Sequence, residues 1–169
     1  HQPMRLLHLS VLLAAKGLAN PDALPGEATG EPYQYQDVTD KTALGTALTH
    51  AWALLQALER GLGVTPAKDP QHAVLLARHS ELKGLRDRLI AALGTDRPRQ
   101  DGHYEMPAIT DTASLQTAQL GLEMNLLNGL AGVVAAAGEK DWLDGTLAQV
   151  PRVQALGGRI PAWPGWVNS

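Results

Sequence analysis

Apolar residues recur every three or four positions along much of this chain, the spacing that places them on one face of an α-helix. The pattern predicts a first long helix from about Asp40 to Leu62, with Asp40 as its N-cap. A second helix is predicted between Asp69, as N-cap, and Gly94, with Pro70 in the first turn, where its missing N–H costs nothing. Runs of alternating β-branched residues are missing, because Ala and Leu dominate. The pattern therefore predicts an all-α fold.

Two more helices are predicted in the second half of the chain. The third begins after Asp111 and Thr112 and carries Leu and Val on two neighbouring faces, which is typical of a central helix. The fourth starts near Glu139 and continues past Leu156, and Pro151 should kink it or split it in two. The predicted core positions of the first three helices are Leu44, Leu48, Ala51, Leu55, Leu58, Leu62, Leu75, Leu82, Leu85, Leu89, Leu93, Leu115, Leu120, Leu122, Leu126, Leu127, Leu130, Val133, Val134 and Ala136.

The lengths of the connections predict the topology. Helices one and two are joined by a few residues, as are three and four, which makes each pair an antiparallel hairpin. Between them lies a polar, proline-rich segment, residues 95–110. A four-helix bundle with one long crossover in the middle is the ferritin-like arrangement. We expect residues 40–169 to form this bundle and its Trp/Pro-rich tail.

Residues 1–39 are predicted to be an N-terminal helix followed by a Pro/Gly-rich linker. Residues 4–15 resemble a signal peptide, with a positive residue before an apolar stretch. His8, Lys16 and the lack of a small-x-small cleavage site favour a short helix, about residues 4–19, packed on the main domain. His1 is either a mature N-terminus or the remainder of a tag, and a free N-terminal histidine beside His8 could bind copper.

Composition narrows the class of function. The 169 residues fit one domain, and 44% hydrophobic with 18% charged residues indicate a globular chain. A net charge of −3 argues against nucleic acid as a partner. The absence of cysteine excludes disulfides, thiol nucleophiles, iron–sulfur clusters and thiolate zinc sites. No apolar run reaches the roughly 18 residues of a membrane span, so no transmembrane segment is expected.

Four segments together resemble a bacterial ferritin-like domain family of unassigned function. They are a leucine-rich helix with a central histidine (ALGTALTHAWALLQAL), a basic second helix (LLARHSELKGLRDRLIAAL), the end of the crossover (HYEMPAITD) and a proline–aromatic ending (IPAWPGW). The likeness runs from Lys41 to the C-terminus, about three-quarters of the chain. It implies a ferritin-like architecture and leaves the activity open.

The fold resemblance raises the question of a metal in the bundle. Di-iron proteins of this class place a Glu on each of two helices and a Glu-x-x-His pair on each of the other two, and that motif is absent here. His50, His79 and Glu123 lie near the midpoints of the first three helices, which share one level in an antiparallel bundle. They could bind iron or another transition metal. The alternative is a buried network in which Glu123 pairs with a histidine or with Arg86.

Other residues gave weaker candidates. His103, Tyr104 and Glu105 in the crossover could line a surface site or simply be solvated. The late tryptophans could clasp one end of the bundle or form an adhesive surface; they are Trp142, Trp163 and Trp166. A basic run on helix two is predicted to be a solvated edge and consists of Lys83, Arg86 and Arg88.

Two functions remain open from the sequence. The favoured one is a non-catalytic bundle with a structural or protein-interaction role, in which a protein partner or a second copy binds. The alternative is a metal-dependent oxidase, a peroxide-consuming enzyme or a metal store that uses the interior His/His/Glu set. An extracytoplasmic or cell-envelope location is expected over a cytoplasmic one.

Overall fold

The computed structural model describes residues 2–20, 37–161 and 164–165. Over these ranges the chain is all-helical, with five α-helices and no strand, which confirms the predicted all-α class. The helices are α1 (Gln2–Leu18), α2 (Asp40–Val64), α3 (Pro70–Leu93), α4 (Thr112–Ala137) and α5 (Leu143–Ala155), with a 3₁₀ turn at Gly94–Asp96.

The starts of α2 and α3 follow local capping chemistry. The α2 cap is Thr39, whose hydroxyl accepts from the Thr42 N–H at 3.1 Å, so the prediction of Asp40 as the cap is wrong by one residue. At α3 the prediction is confirmed: Asp69 accepts from the Gln71 N–H at 2.9 Å and Pro70 follows it. Both caps occupy N–H groups that have no partner within the helix.

Asp111 begins α4 with a reciprocal capping box. Its carboxylate accepts from the Ser114 N–H at 2.8 Å, and the Ser114 hydroxyl oxygen accepts from the Asp111 N–H at 3.0 Å. Hydrogen bonds from the Ser114 hydroxyl and N–H lower the pKa of the Asp111 carboxyl. The charged cap therefore fixes where the crossover ends and α4 starts.

The helix α5 differs from its prediction at both ends. It begins at Leu143 rather than near Glu139, and it stops at Ala155 rather than past Leu156. Pro151 was expected to kink or split this helix; it lies inside α5, which continues through it, so a split is excluded. Residues 138–142 form the short link from α4.

The helix α4 is central, as predicted: it packs against α1, α2 and α5, while α2 also packs against α3. The start of α2 lies beside the end of α3, where the Lys41 ammonium donates to the Ala92 carbonyl at 2.9 Å. The two helices are therefore antiparallel. All the predicted core positions are buried or partly buried in one apolar cluster.

The N-terminal helix α1 closes one side of the molecule. Its leucines Leu6, Leu9 and Leu13 are fully buried where it packs on α4 and α5. The Arg5 guanidinium donates to the Ala135 carbonyl at 2.8 Å, at the end of α4. The predicted N-terminal helix is thus present, whereas most of the predicted linker, residues 21–36, lies outside the described residues.

Only α4, among the described helices, is long and apolar enough to cross a membrane by length and composition. Half of its apolar window is buried inside the protein. A central helix surrounded by three others has the same composition, because it must be apolar on most of its circumference.

Candidate functional site

The polar interior of the protein is built from three helices. Arg78 lies in the first half of α3, Glu123 near the middle of α4, and Gln149 at the middle of α5. All three side chains are buried, and Glu123 is only 1% exposed. We call these residues the interior triad.

Arg78 holds Glu123 in a two-pronged ion pair. The guanidinium Nε donates to Oε1 at 2.8 Å and Nη2 donates to Oε2 at 3.0 Å. This fork-to-fork geometry matches the planar guanidinium to the planar carboxylate, and it is the strongest arrangement of such a pair. A buried carboxylate needs a partner of this kind, because burying it alone is very costly.

Gln149 completes the triad. Its amide oxygen accepts from Arg78 Nη2 at 3.0 Å, and its amide nitrogen donates to the Glu123 carbonyl at 3.1 Å and to the Glu123 carboxylate. Both carboxylate oxygens of Glu123 are therefore occupied by hydrogen bonds from the protein. The triad ties α3, α4 and α5 together at one level of the interior.

Further charges connect the triad to the surface. The Arg78 Nη1 lies 4.0 Å from a Glu81 carboxylate oxygen, and the same oxygen accepts from Arg152 on α5. Arg152 also donates to the Ala148 carbonyl at 2.7 Å. The side-chain charges alternate in sign along this row, which runs through Glu123, Arg78, Glu81 and Arg152. Two negative and two positive groups make the row neutral as a whole.

The two histidines predicted as metal ligands have other surroundings. His79 Nε2 lies 3.2 Å from a carboxylate oxygen of Glu59, whose side chain is largely exposed. His50 lies against Gly129 and lines an open surface cavity of about 480 Å³, together with Lys41 and Asp96. Burial without a compensating charge lowers the pKa of His50.

The structure does not bring His50, His79 and Glu123 together. Throughout the described ranges, no three His, Asp or Glu side chains form a group that could hold a metal ion. The other interpretation, a buried ionic network around Glu123, agrees with the observed contacts. The residue predicted to pair with Glu123 is nevertheless wrong. Glu123 binds Arg78, whereas Arg86 pairs with its neighbour Asp87 at 3.0 Å.

Sequence reasoning missed Arg78 and Gln149 as partners of Glu123. A signal was present for Arg78, because it lies three residues after Leu75 and four before Leu82, on the apolar stripe of α3. An arginine on such a stripe faces the interior and requires a buried anion. The sequence signal for Gln149 was weaker, because the apolar Val150 beside it is the more obvious core position.

The crossover residues are anchored on α2. The Tyr104 N–H donates to the Gln56 side-chain oxygen at 2.9 Å, and the buried Tyr104 hydroxyl accepts from the Asp101 N–H at 2.9 Å. His103 Nδ1 lies 3.1 Å from an Arg60 nitrogen. Tyr104 therefore has a packing role, while Glu105 is exposed.

Trp142, the last residue before α5, is buried, with the Arg88 guanidinium 5.3 Å from the centre of its ring. Arg88 also donates to the Asp141 carbonyl at 2.9 Å, so this residue does more than line a solvated edge. Trp163, Trp166 and His1, and with them the predictions of a tail clasp and of N-terminal copper binding, lie outside the described residues.

Over the described residues this is an all-α protein with a neutral, hydrogen-bonded triad in its interior. Searches found no matching family model, no matching curated protein and no matching solved structure. The resemblance to ferritin-like domains stays a prediction.

Proposed function

We propose that this chain is a non-catalytic helical module of ferritin-like architecture with a structural or protein-interaction role. In this proposal α2–α5 are the four bundle helices and the segment between α3 and α4 is the crossover. The binding partner is another protein or a second copy of the chain, and the module belongs to the cell envelope.

The observation that carries the proposal is the state of the interior carboxylate. Di-iron proteins use inward carboxylates of the bundle helices as metal ligands. Here the inward carboxylate is Glu123, and both of its oxygens accept hydrogen bonds from Arg78 and Gln149. A carboxylate whose charge is already balanced by a buried guanidinium supports a structural role, because a metal ion bound to Glu123 would lie beside the positive charge of Arg78.

The connections support the ferritin-like arrangement. Residues 65–69 join α2 to α3 and residues 138–142 join α4 to α5, whereas the path from α3 to α4 runs over residues 94–111. Two short links around one long one are the connectivity of that class. The proposed cell-envelope location is inferred from the amino-acid sequence, in which an N-terminal segment is followed by a Pro/Gly-rich linker.

The test is metal analysis of the protein purified without chelator or affinity tag. The protein is incubated with Fe²⁺, Mn²⁺, Zn²⁺ or Cu²⁺, passed through a desalting column and measured by elemental mass spectrometry. We expect far less than one ion per chain for each metal. The same samples, run with multi-angle light scattering, report whether a second copy is the partner.

Three variants distinguish the sources of any bound metal. Glu123→Gln keeps the shape of the triad, His79→Ala removes the second candidate ligand, and removal of His1 eliminates the N-terminal amine–imidazole pair. One ion per chain that is lost in Glu123→Gln and in His79→Ala, with unchanged circular dichroism, would refute the proposal. Metal that is lost only with His1 would be an N-terminal site and would leave the bundle non-catalytic.

A further inference from the structure

A cavity of about 500 Å³ is bordered by three helix ends: the start of α3, the first part of α4 and the end of α5. Asp69, Gln116 and Gln119 contribute to its polar lining, and Leu115 and Leu156 to its apolar lining. The volume lies within the range of small-molecule sites. We call this space the Gln119 cavity.

Gln119 is a buried amide without a partner. Its side chain lines the cavity while the residue is only 7% exposed, and it makes no hydrogen bond within the described part of the chain. The other buried glutamines there are bonded: Gln149 belongs to the interior triad, and Gln154 donates to the Gly17 carbonyl at 3.1 Å. Buried polar side chains nearly always have partners, so the free amide of Gln119 points to a ligand in the cavity.

The helix places this amide without help from a partner. Leu115, Gln119 and Glu123 follow one another at intervals of four residues, so they share one face of α4. Leu115 and Glu123 are buried on that face at 3% and 1% exposure. Gln119 is therefore held at the cavity by its position on a rigid helix, with its hydrogen-bonding groups available.

The charge of the lining favours a cation. Asp69 is the one charged residue among those that line the cavity. Its carboxylate accepts from the Gln71 N–H at 2.9 Å and has no other hydrogen bond within the described residues. An acidic lining without a counter-charge attracts positively charged ligands. The amide oxygens of Gln116 and Gln119 add acceptors for an ammonium group, which carries three donors.

An anionic ligand does not fit the same lining. The free N–H groups at the starts of α3 and α4 would favour an anion, but the carboxylates of Asp69 and Asp111 already cap these two starts. The lining residues include no Lys, Arg or His. A bound anion would therefore lie beside the Asp69 carboxylate with no cation to compensate it.

The apolar lining restricts the cation to an organic one. Leu115 and Leu156 offer contact surface to methylene groups, which a hydrated metal ion does not use. The acceptors lie on separate elements, Asp69 before α3 and Gln119 on α4. A short alkyl chain with a donor group at each end matches two separate acceptors joined by an apolar wall.

We propose that the Gln119 cavity binds a small aliphatic diamine. One ammonium group pairs with the Asp69 carboxylate, the other donates to the Gln119 amide oxygen, and the methylene chain lies against Leu115 and Leu156. This ligand site is additional to the structural or protein-interaction role proposed above.

The test is a nuclear magnetic resonance titration of the full chain with three probes of similar length, cadaverine, pentanediol and glutarate. They present two ammonium groups, two hydroxyls and two carboxylates on similar carbon chains. We expect cadaverine to bind saturably and to shift the Gln119 side-chain amide signal, which is assigned by its loss in Gln119→Leu. Pentanediol and glutarate should bind at least tenfold more weakly.

Two variants test the two acceptors. Asp69→Asn removes the charge and keeps a good helix cap, and Gln119→Leu removes the amide at similar volume. Each should weaken cadaverine binding at least tenfold, followed at the backbone amide of Ala113, which also lines the cavity. The matched control is Asp111→Asn, the same change at the cap of α4, which is not among the lining residues. It should bind cadaverine like wild type, and circular dichroism should be unchanged in all three variants.

The proposal would be overturned by any of three results: no saturable binding of cadaverine at millimolar concentration, equal or tighter binding of pentanediol or glutarate, or undiminished binding by Asp69→Asn or Gln119→Leu. The first of these would mean that water alone satisfies the Gln119 amide. Metal content and oligomeric state enter none of these measurements, so this proposal and the proposed function can fail independently.

Discussion

Arg78 is the residue on which the polar interior depends most. It donates to both oxygens of Glu123 and to Gln149, and it lies 4.0 Å from Glu81. Removing one member of a buried ion pair leaves a charge with neither water nor a partner. The pair as a whole contributes less than this penalty suggests, because both charges lost their hydration on folding.

The first prediction compares the cost of removing one partner of the ion pair with the cost of replacing both. Arg78→Met should reduce the free energy of unfolding by about 3–5 kcal/mol, because the buried Glu123 carboxylate loses its counter-charge and keeps only the hydrogen bond from Gln149. Arg78→Met/Glu123→Leu should recover most of the loss, since two apolar side chains replace the pair. Urea titrations of the wild type and the two variants measure both values.

The Arg86→Met variant is the control, because Arg86 pairs with its own neighbour near the surface and should change stability little. A double variant that is as unstable as Arg78→Met would show that the pair itself supplies the stabilisation.

His50 gives the protein a dependence on pH. Burial lowers its pKa in the folded protein below the usual 6.5. As the pH falls below 6.5, His50 becomes protonated in the unfolded chain while it stays neutral in the folded protein. The unfolded state therefore binds more protons, and the free energy of unfolding decreases. The loss is complete once the pH is below the folded-state pKa.

The second prediction follows from this loss of stability at low pH. Between pH 7 and pH 5, wild-type stability should decrease more steeply than that of His50→Gln, which cannot titrate. Denaturant midpoints at several pH values measure the slope, and His8→Gln is the control for an exposed histidine. Parallel slopes for wild type and His50→Gln would contradict the assignment.

At the scale of elements, glycines set how closely α2 and α4 approach. A Cβ on Gly61 would lie 2.6 and 2.8 Å from the two methyl groups of Leu115, which is buried at the start of α4. A Cβ on Gly129 would lie 3.3 Å from the Cα of Ala47. Both glycines are therefore needed for helix contact, although their sequence setting resembles that of other helical glycines.

The third prediction compares two glycines. Gly61→Ala should destabilise the protein by about 1–3 kcal/mol through overpacking against Leu115, partly offset by the better helix propensity of alanine. Gly121→Ala, in the open middle of α4, should instead stabilise it by up to about 1 kcal/mol. Thermal melts of both variants give the comparison, and an equal gain for both would mean that α2 and α4 are not in close contact at Gly61.

The helices themselves were largely predictable, because capping residues and the apolar period are local signals. Asp69 and Asp111 marked two starts correctly, and the error at Thr39 arose because Thr39 and Asp40 are both good caps. The partners of Glu123 were not predictable in the same way. They depend on how α3 and α5 are rotated toward α4, and helical period fixes that rotation only within a residue or two.

At the scale of the whole molecule, the N-terminal helix is attached from one side. It packs on α4 and α5, while α4 also has α2 across from it and α2 has α3. Beyond its three buried leucines, α1 is linked by Arg5 to the Ala135 carbonyl and by the Gly17 carbonyl, which accepts from Gln154 at 3.1 Å. Its exposed contacts are the hydrogen bonds between Gln2 and the Val38 backbone and the approach of His8 to Glu139. An element with few contacts opens before the core does.

The fourth prediction is that α1 is a separate unit of stability. Its amides should exchange with deuterium faster than those of α2 and α4, which lie deeper in the core. Leu9→Ala removes the middle of the three inner leucines, and the loss of such a buried side chain costs about 2–5 kcal/mol. If α1 opens by itself, the substitution should speed exchange in α1 at least tenfold and leave exchange in α4 nearly unchanged. Mass spectrometry of the exchanged protein resolves the two helices. Equal acceleration in α1 and α4 would show instead that α1 unfolds only with the core, as one cooperative unit.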